Sequence, residues 1–264
     1  MSHIIKELKD YILTIKLNRP EASNAISVKM INELCETLNE ANWDNTVRVV
    51  VLTGNGKNFC AGGDIKDMEE KSGMFAGESN ELRERYQRGI QRIPQTIEAF
   101  SKPILAMVNG AAIGAGCDLA AMCDIRIGCE FSKFGETFSK LALVPGDGGT
   151  FFLPRVVGYA KAMEMFLTGK IYSANESLDM GLLNYLHKSS ELESKTIELA
   201  KSISNNSPIA LSMTKKALKQ SKNAELTQCL DMLAAFQGIT QRTEDHFKGL
   251  SALKTKSQAE FTGK

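Results

Sequence analysis

Three stretches of this 264-residue chain carry residue types whose spacing could do chemistry. The first is Lys102 to Asp124, KPILAMVNGAAIGAGCDLAAMCD. An apolar strand, Ile104 to Val108, breaks at Asn109-Gly110. The small residues Ala111 to Gly116 then lead into a short apolar helix beginning near Ala115, with Asp118 in its first turn. Amides at a helix start lack partners within the helix and carry the positive end of its dipole. On a chain nearly free of side chains they make a site for developing negative charge. A carboxylate one turn in could move a proton beside that charge.

The second stretch is NFCAGGDIKDM, Asn58 to Met68, where Gly62-Gly63 can bring backbone amides close to a ligand because no β-carbon blocks the approach. On its own it also fits a plain turn into a short helix. In the third, Phe134 to Arg155, the run PGDGG puts Asp147 near a second helix start. The common use of such an aspartate is a helix N-cap without chemistry. Two amide-presenting turns with two aspartates suit an enolate or thioester oxyanion and proton transfer beside it.

Other motif readings fail on spacing. GAAIGAGCD follows a strand and opens a helix, but Gly114 and Gly116 are followed by Leu119 where a dinucleotide fingerprint needs glycine or alanine. GNGKN, Gly54 to Asn58, lacks P-loop spacing, and no G-x-S-x-G elbow occurs. Only His3, His187 and His246 offer imidazole and they are far apart, so neither a Ser-His-Asp hydrolase nor a metal site is expected.

The elements that must hold these stretches alternate between strand and helix. Ile4 to Leu8 and Tyr11 to Leu17 read as a hairpin. Ser27 caps a helix with Ile31, Leu34, Leu38 and Ala41 on one face. VRVVVL, Val47 to Leu52, reads as a strand buried on both sides. Residues 69–80 read as a mobile surface loop. A long helix follows with Leu82, Tyr86, Ile90, Ile93, Ile97 and Phe100 inward, kinked at Pro94. Asp124 to Gly128, Ser132 to Phe134 and Leu182 to Leu186 read as strands. Helices are expected over Ala160 to Leu167, Asn175 to Met180, Leu192 to Ser204, Pro208 to Lys219 and Glu225 to Asp245. The expected organisation is an α/β core over residues 1–190 and a helical region over 191–264.

Composition narrows the class further. The chain is 43% apolar and 24% charged with a net charge of +1 and no long basic run, so nucleic-acid binding is not expected. The N-terminus does not read as a signal peptide and no run approaches a membrane span. The six cysteines form no CxxC pair and sit in apolar company, as reduced buried thiols of a cytoplasmic protein would.

NRPEASNAIS (Asn18 to Ser27), NFCAGGDIKDM and VNGAAIGAGCDLAAMCDIRI (Val108 to Ile127), in this order and spacing, resemble the crotonase, or enoyl-CoA hydratase/isomerase, superfamily. VPGDGGTFFLPRVVG, Ala162 to Gly169 and MGLLNYL extend the likeness over essentially the whole chain. The resemblance implies a spiral of ββα turns with a helical C-terminal region that packs subunits into trimers, often dimers of trimers. It implies an acyl-CoA substrate and no other cofactor. The thioester carbonyl would be held by the amides of Gly63 and Ala115; family members usually have glycine at the second position. Glu21, Ala22 and Ser23, with Ala61, Gly62, Asp64 and Ile65, match segments that cradle the CoA adenine and pantetheine. Lys256 matches a lysine near the CoA phosphates.

Departures from the family pattern bear on the reaction. Of the two hydratase glutamates, the first falls on Asp118, one methylene shorter. The second falls on Phe138, which cannot exchange a proton and becomes part of the acyl pocket. Glu136, two residues earlier, is taken to face the other way and to be a poor substitute. Asp147 lies in a loop where some isomerases and a carbon–carbon-bond hydrolase of the superfamily place a working aspartate. The resulting expectation is an enolate-stabilising acyl-CoA enzyme with Asp118 as first and Asp147 as second candidate acid/base, isomerisation being favoured over hydration. A CoA-thioester or β-diketone hydrolase and a CoA-binding member without activity are the alternatives. Residues 69–93 are expected to line or cap the acyl pocket.

Overall fold

The N-terminal alternation folds as an antiparallel hairpin, β1 (Ile4–Lys9) and β2 (Ile12–Leu17), in the computed structural model, which describes residues Met1–Lys264. Its turn residues Asp10 and Tyr11 both have positive φ, the backbone that matches the twist of a two-residue hairpin. Helix α1 (Val28–Trp43) follows, and Ser27 Oγ accepts the Met30 amide at 3.1 Å as its cap. Strand β3 (Val49–Gly54) is buried throughout and pairs in parallel with β2.

The chain then runs through α2 (Ile65–Glu69), α3 (Ser79–Arg88), α4 (Arg92–Ala99), β4 (Ile104–Val108), β5 (Ala111–Ile113) and α5 (Ala115–Met122). It continues with β6 (Ile125–Cys129), β7 (Lys133–Gly135), α6 (Gly149–Val157), α7 (Tyr159–Thr168), β8 (Ile171–Ser173), α8 (Ala174–Asp179) and β9 (Tyr185–His187). Four helices close the chain: α9 (Ser189–Ser204), α10 (Pro208–Ser221), α11 (Leu226–Thr240) and α12 (Glu244–Thr255).

Successive turns of chain add one strand to each of two sheets. The larger has the order β1-β2-β3-β4-β6-β9 and is parallel after the hairpin; the smaller has the order β5-β7-β8. Isolated bridges Ile26↔Gly63 and Cys60↔Ala112 extend the second ladder back to the earlier turns. This stacking of turns brings the Gly62-Gly63 turn against the start of α5. Side chains alternate across the large sheet: Val50 and Leu52 enter the main core with α1, whereas Val49 and Val51 face Leu192 and Ala200 of α9.

Helix α9 begins at Ser189 and covers the back of the large sheet. Several expectations need correction. The break in the expected long helix lies at Gly89, between α3 and α4, while Pro94 sits in the first turn of α4, where no intrahelical donor is needed. Residues 69–80 are not merely a surface loop, because a short 3-10 turn, Gly73–Phe75, buries Met74 and Phe75. The helix expected to reach Asp245 ends at Thr240, and α12 restarts with Thr243 Oγ1 accepting the His246 amide at 3.1 Å. Strands β5 and β8 span three residues each, too few for a periodic signal. No helix is long and apolar enough to cross a membrane.

Candidate active site

The two glycine-rich turns meet. Cys60 donates its amide to Ala111 O at 3.0 Å and accepts the Ile113 amide at 2.9 Å, while Gly114 N–H donates to Gly135 O at 2.8 Å. Gly62 has φ +87°, and a β-carbon there would lie 2.6 Å from Ile113 O and 3.2 Å from Ala115 N. Only glycine fits that left-handed, closely approached position. The Gly63 amide makes no backbone hydrogen bond, and Ala115, as the first residue of α5, has its amide outside the helical ladder. Both residues line one cavity of about 310 Å³.

The rest of that cavity is mostly apolar. Met68, Met74, Phe75, Tyr86 and Ile90 close one side, so the segment 69–93 supplies four of its lining residues. Phe138, from the 3-10 turn Thr137–Leu141, and Leu143 close another. Asp147 is in the wall, and Gln91 Nε2 donates to Gly146 O at 2.8 Å, pinning the loop that carries it. Asp147 is not the α6 N-cap, a position held by Gly148.

Asp118 does not reach the cavity wall. It is fully buried behind it, at the N-terminus of α6, where its carboxyl occupies the space that a β-carbon on Gly149 would need. Glu136 lies beside it and is also fully buried. Glu136 does not line the cavity that Phe138 lines, as expected, but strand alternation is not the cause: β7 ends at Gly135, after which Glu136 turns off with φ −95° and ψ 76° and its carboxyl lies beside Asp118.

These three acids form one buried cluster. As carboxylates, both oxygens of Asp118, both of Glu136 and Oδ1 of Asp147 have no donor. As a carboxylic acid, Asp118 can donate to Glu136 or to Asp147, both within hydrogen-bonding reach. Burial raises all three pKa values, Glu136 to about 8, and the like charges of Glu136 and Asp147 raise Asp118 further. No cation offsets them. Cys117 adjoins Glu136, and burial followed by the neighbouring acids raises its thiol.

The remaining candidates lie at the cavity mouth or away from it. Glu21 and Ala22 end a 3-10 turn, Pro20–Ala22, and Ser23 O accepts the Ala61 amide at 3.0 Å, joining that turn to the Gly62-Gly63 segment. Asn24, fully buried, donates Nδ2 to Asn55 O at 2.9 Å and Asn58 O at 2.8 Å. Its role in joining these turns is absent from the sequence reading. Asp64 caps α2 and pairs with Arg19 at 2.9 Å. Burial opposes its charge, but Arg19 and the Asp67 and Lys66 amides hold its pKa below the usual range. Ala61 and Ile65 line the cavity. Lys256 is the left-handed cap of α12 with no side-chain bond to these loops. The tail after it packs on Tyr11 and Arg48, at the opposite end of β3 from Gly63.

Comparison with known proteins identifies the class. The enoyl-CoA hydratase/isomerase family profile matches residues 7–264. 2,3-Dehydroadipyl-CoA hydratase of Escherichia coli is 34% identical over 264 residues, covering 100% of both chains. 1,2-Epoxyphenylacetyl-CoA isomerase of the same organism is 33% identical with the same coverage. The crystal structure of enoyl-CoA hydratase from Bacillus anthracis superposes with a TM-score of 0.93 at 32% identity, covering 99% of this chain and 100% of that one. The chain belongs to the enoyl-CoA hydratase/isomerase family and has the crotonase fold with its helical C-terminal region.

Proposed function

We propose that the protein shifts the double bond of an enoyl-CoA thioester between the 2- and 3-positions, in preference to hydrating it. Asp147, ionised, removes a proton from C2 of a 3-enoyl thioester. The C–H electron pair becomes the C1–C2 double bond, and the carbonyl π pair moves onto oxygen, where the Gly63 and Ala115 amides stabilise it. Asp147 then returns the proton to C4 as the 2,3 double bond and the carbonyl re-form. Every atom is conserved and no water enters.

The observation that carries this reading is that Asp147 shares one cavity wall with both amides, while Phe138 fills the position that the resemblance gives to the second hydratase glutamate. Asp118, ranked first from sequence, becomes a partner behind Asp147. Relatives named for hydration and for isomerisation are equally similar, so similarity does not choose between them. In this reading the segments Glu21–Ser23, Ala61–Gly62 and Asp64–Ile65 hold the CoA moiety. Lys256 takes part only from a neighbouring subunit, because it lacks a bond to these segments within the chain. Subunit association would use the exposed apolar side chains of α11 and α12, among them Leu230, Leu233, Phe247 and Leu253. Light scattering of the purified protein tests this, with a trimer or hexamer expected.

The function is tested by assaying the wild type on 2-enoyl and 3-enoyl thioesters of several chain lengths, with separate detection of 3-hydroxyacyl product, isomer and free thiol. Interconversion of the two enoyl isomers is expected. Dominant hydration, thiol release, or tight binding without turnover would each replace the proposal.

A further inference from the structure

Glu136 is the one fully buried acid of the site that the reaction above does not use. It has no cation, water-facing surface or hydrogen-bond donor from the backbone, and neither of its oxygens is paired. A lone buried carboxylate in that setting costs several kcal/mol or more, so it must hold a proton or share one. The groups facing it are Asp118 and Cys117 from α5, with Asp147 beyond Asp118 and Tyr86 beside Asp147. Nothing basic lies among them.

We propose that Glu136 is a positioning residue that shares a proton with Asp118 and so holds Asp118 as the hydrogen-bond donor to Asp147. The inference rests on the isomerase reading for its consequence but not for its observable. Three carboxyl groups in contact, with no cation, hold two protons and one negative charge at rest. With Asp118 turned toward Asp147 as a donor, the charge resides on Asp147, the group in the cavity wall. When Asp147 takes the substrate proton, the cluster becomes neutral and the single negative charge moves to the thioester oxygen between the two amides. The site's total charge is unchanged through the step, so burial does not oppose it. In this arrangement Glu136 carries the second proton and donates it to Asp118; as Glu136 ionises near pH 8 it draws the Asp118 proton toward itself and leaves Asp147 without its donor.

Infrared spectra in H2O and D2O near neutral pH count protonated buried carboxyls in the wild type and in Glu136→Gln. The other buried acid, Asp245, accepts from the Thr262 and Gly263 amides and the Ser207 hydroxyl and stays ionised, so it adds no acid band. The wild type should show a carboxylic-acid band near neutral pH that weakens in Glu136→Gln. In the same variant kcat should fall about tenfold or more with KM changed less than about twofold. The alkaline limb of its pH profile should move to higher pH, because the Glu136 ionisation near pH 8 is gone. A wild type without the acid band, or a variant with an unmoved alkaline limb, overturns the proposal. The wild-type band needs no variant and no turnover, so it persists even if the preferred reaction proves to be hydration.

Discussion

Asp147 stands in the wall of the cavity that holds the Gly63 and Ala115 amides, and Asp118 stands directly behind it, fully buried. The two aspartates are therefore unequal. In the proposed reaction Asp147 is the group that meets the substrate carbon, and Asp118 acts on it as a hydrogen-bond donor.

Replacement of Asp118 by asparagine should cost less than replacement of Asp147. The asparagine amide still donates toward Asp147, so the loss in kcat should be about tenfold, against 10²–10⁴-fold for removing the acid/base itself. Steady-state kinetics of the two variants decide this ordering. Equal losses would make Asp118 a direct participant.

Ala115→Pro isolates the second amide. Proline is tolerated at the first residue of a helix, and the bonds from Cys117 and Asp118 N–H to Gly114 O at 2.8 and 3.0 Å do not involve the Ala115 amide. Folding should survive, while kcat falls about 10²–10³-fold for loss of one oxyanion donor. Circular dichroism with kinetics separates the two effects.

Gly149→Ala should displace Asp118, whose carboxyl fills the space of the new methyl group. A stability loss of about 1–3 kcal/mol is expected from overpacking. Activity should fall about 10²-fold from misplacement of the acid pair. Denaturant melts and kcat measured on the same preparation check both.

The acid cluster also gives folding a pH dependence. The Glu136 pKa rises from 4.5 to about 8 on folding, so the native state binds a proton that the unfolded chain has released. That contribution is fully present below pH 4.5 and is lost as pH rises through about 8. Asp118 and Asp147 act in the same direction. Tm should therefore fall across this window, with a shallower slope in Glu136→Gln.

Much of this arrangement is legible in the sequence because it rests on backbone chemistry. Gly62-Gly63 and the small residues before Ala115 announce amide-presenting turns, and the β-branched run at Val47 announces a strand buried on both sides. What is lost lies where local pattern gives out. Gly89 breaks the helix because its backbone leaves helical space, whereas Pro94, the stronger local signal, sits harmlessly in a first turn. The contact of Glu136 with Asp118 is missed because its direction depends on where β7 ends. Which of Asp118 and Asp147 lines the cavity is set by α6 and the loop before it. No window of sequence contains that information.

The most direct test is the rate of conjugation of a 3-enoyl-CoA thioester by wild type and Asp147→Asn, followed by the absorbance of the conjugated product. Conversion by the wild type and a loss of at least about 10²-fold in kcat for the variant, with KM nearly unchanged, are predicted. Undiminished conjugation by Asp147→Asn, or brisk hydration of 2-enoyl-CoA unaffected by both Asp118→Asn and Asp147→Asn, would contradict the account.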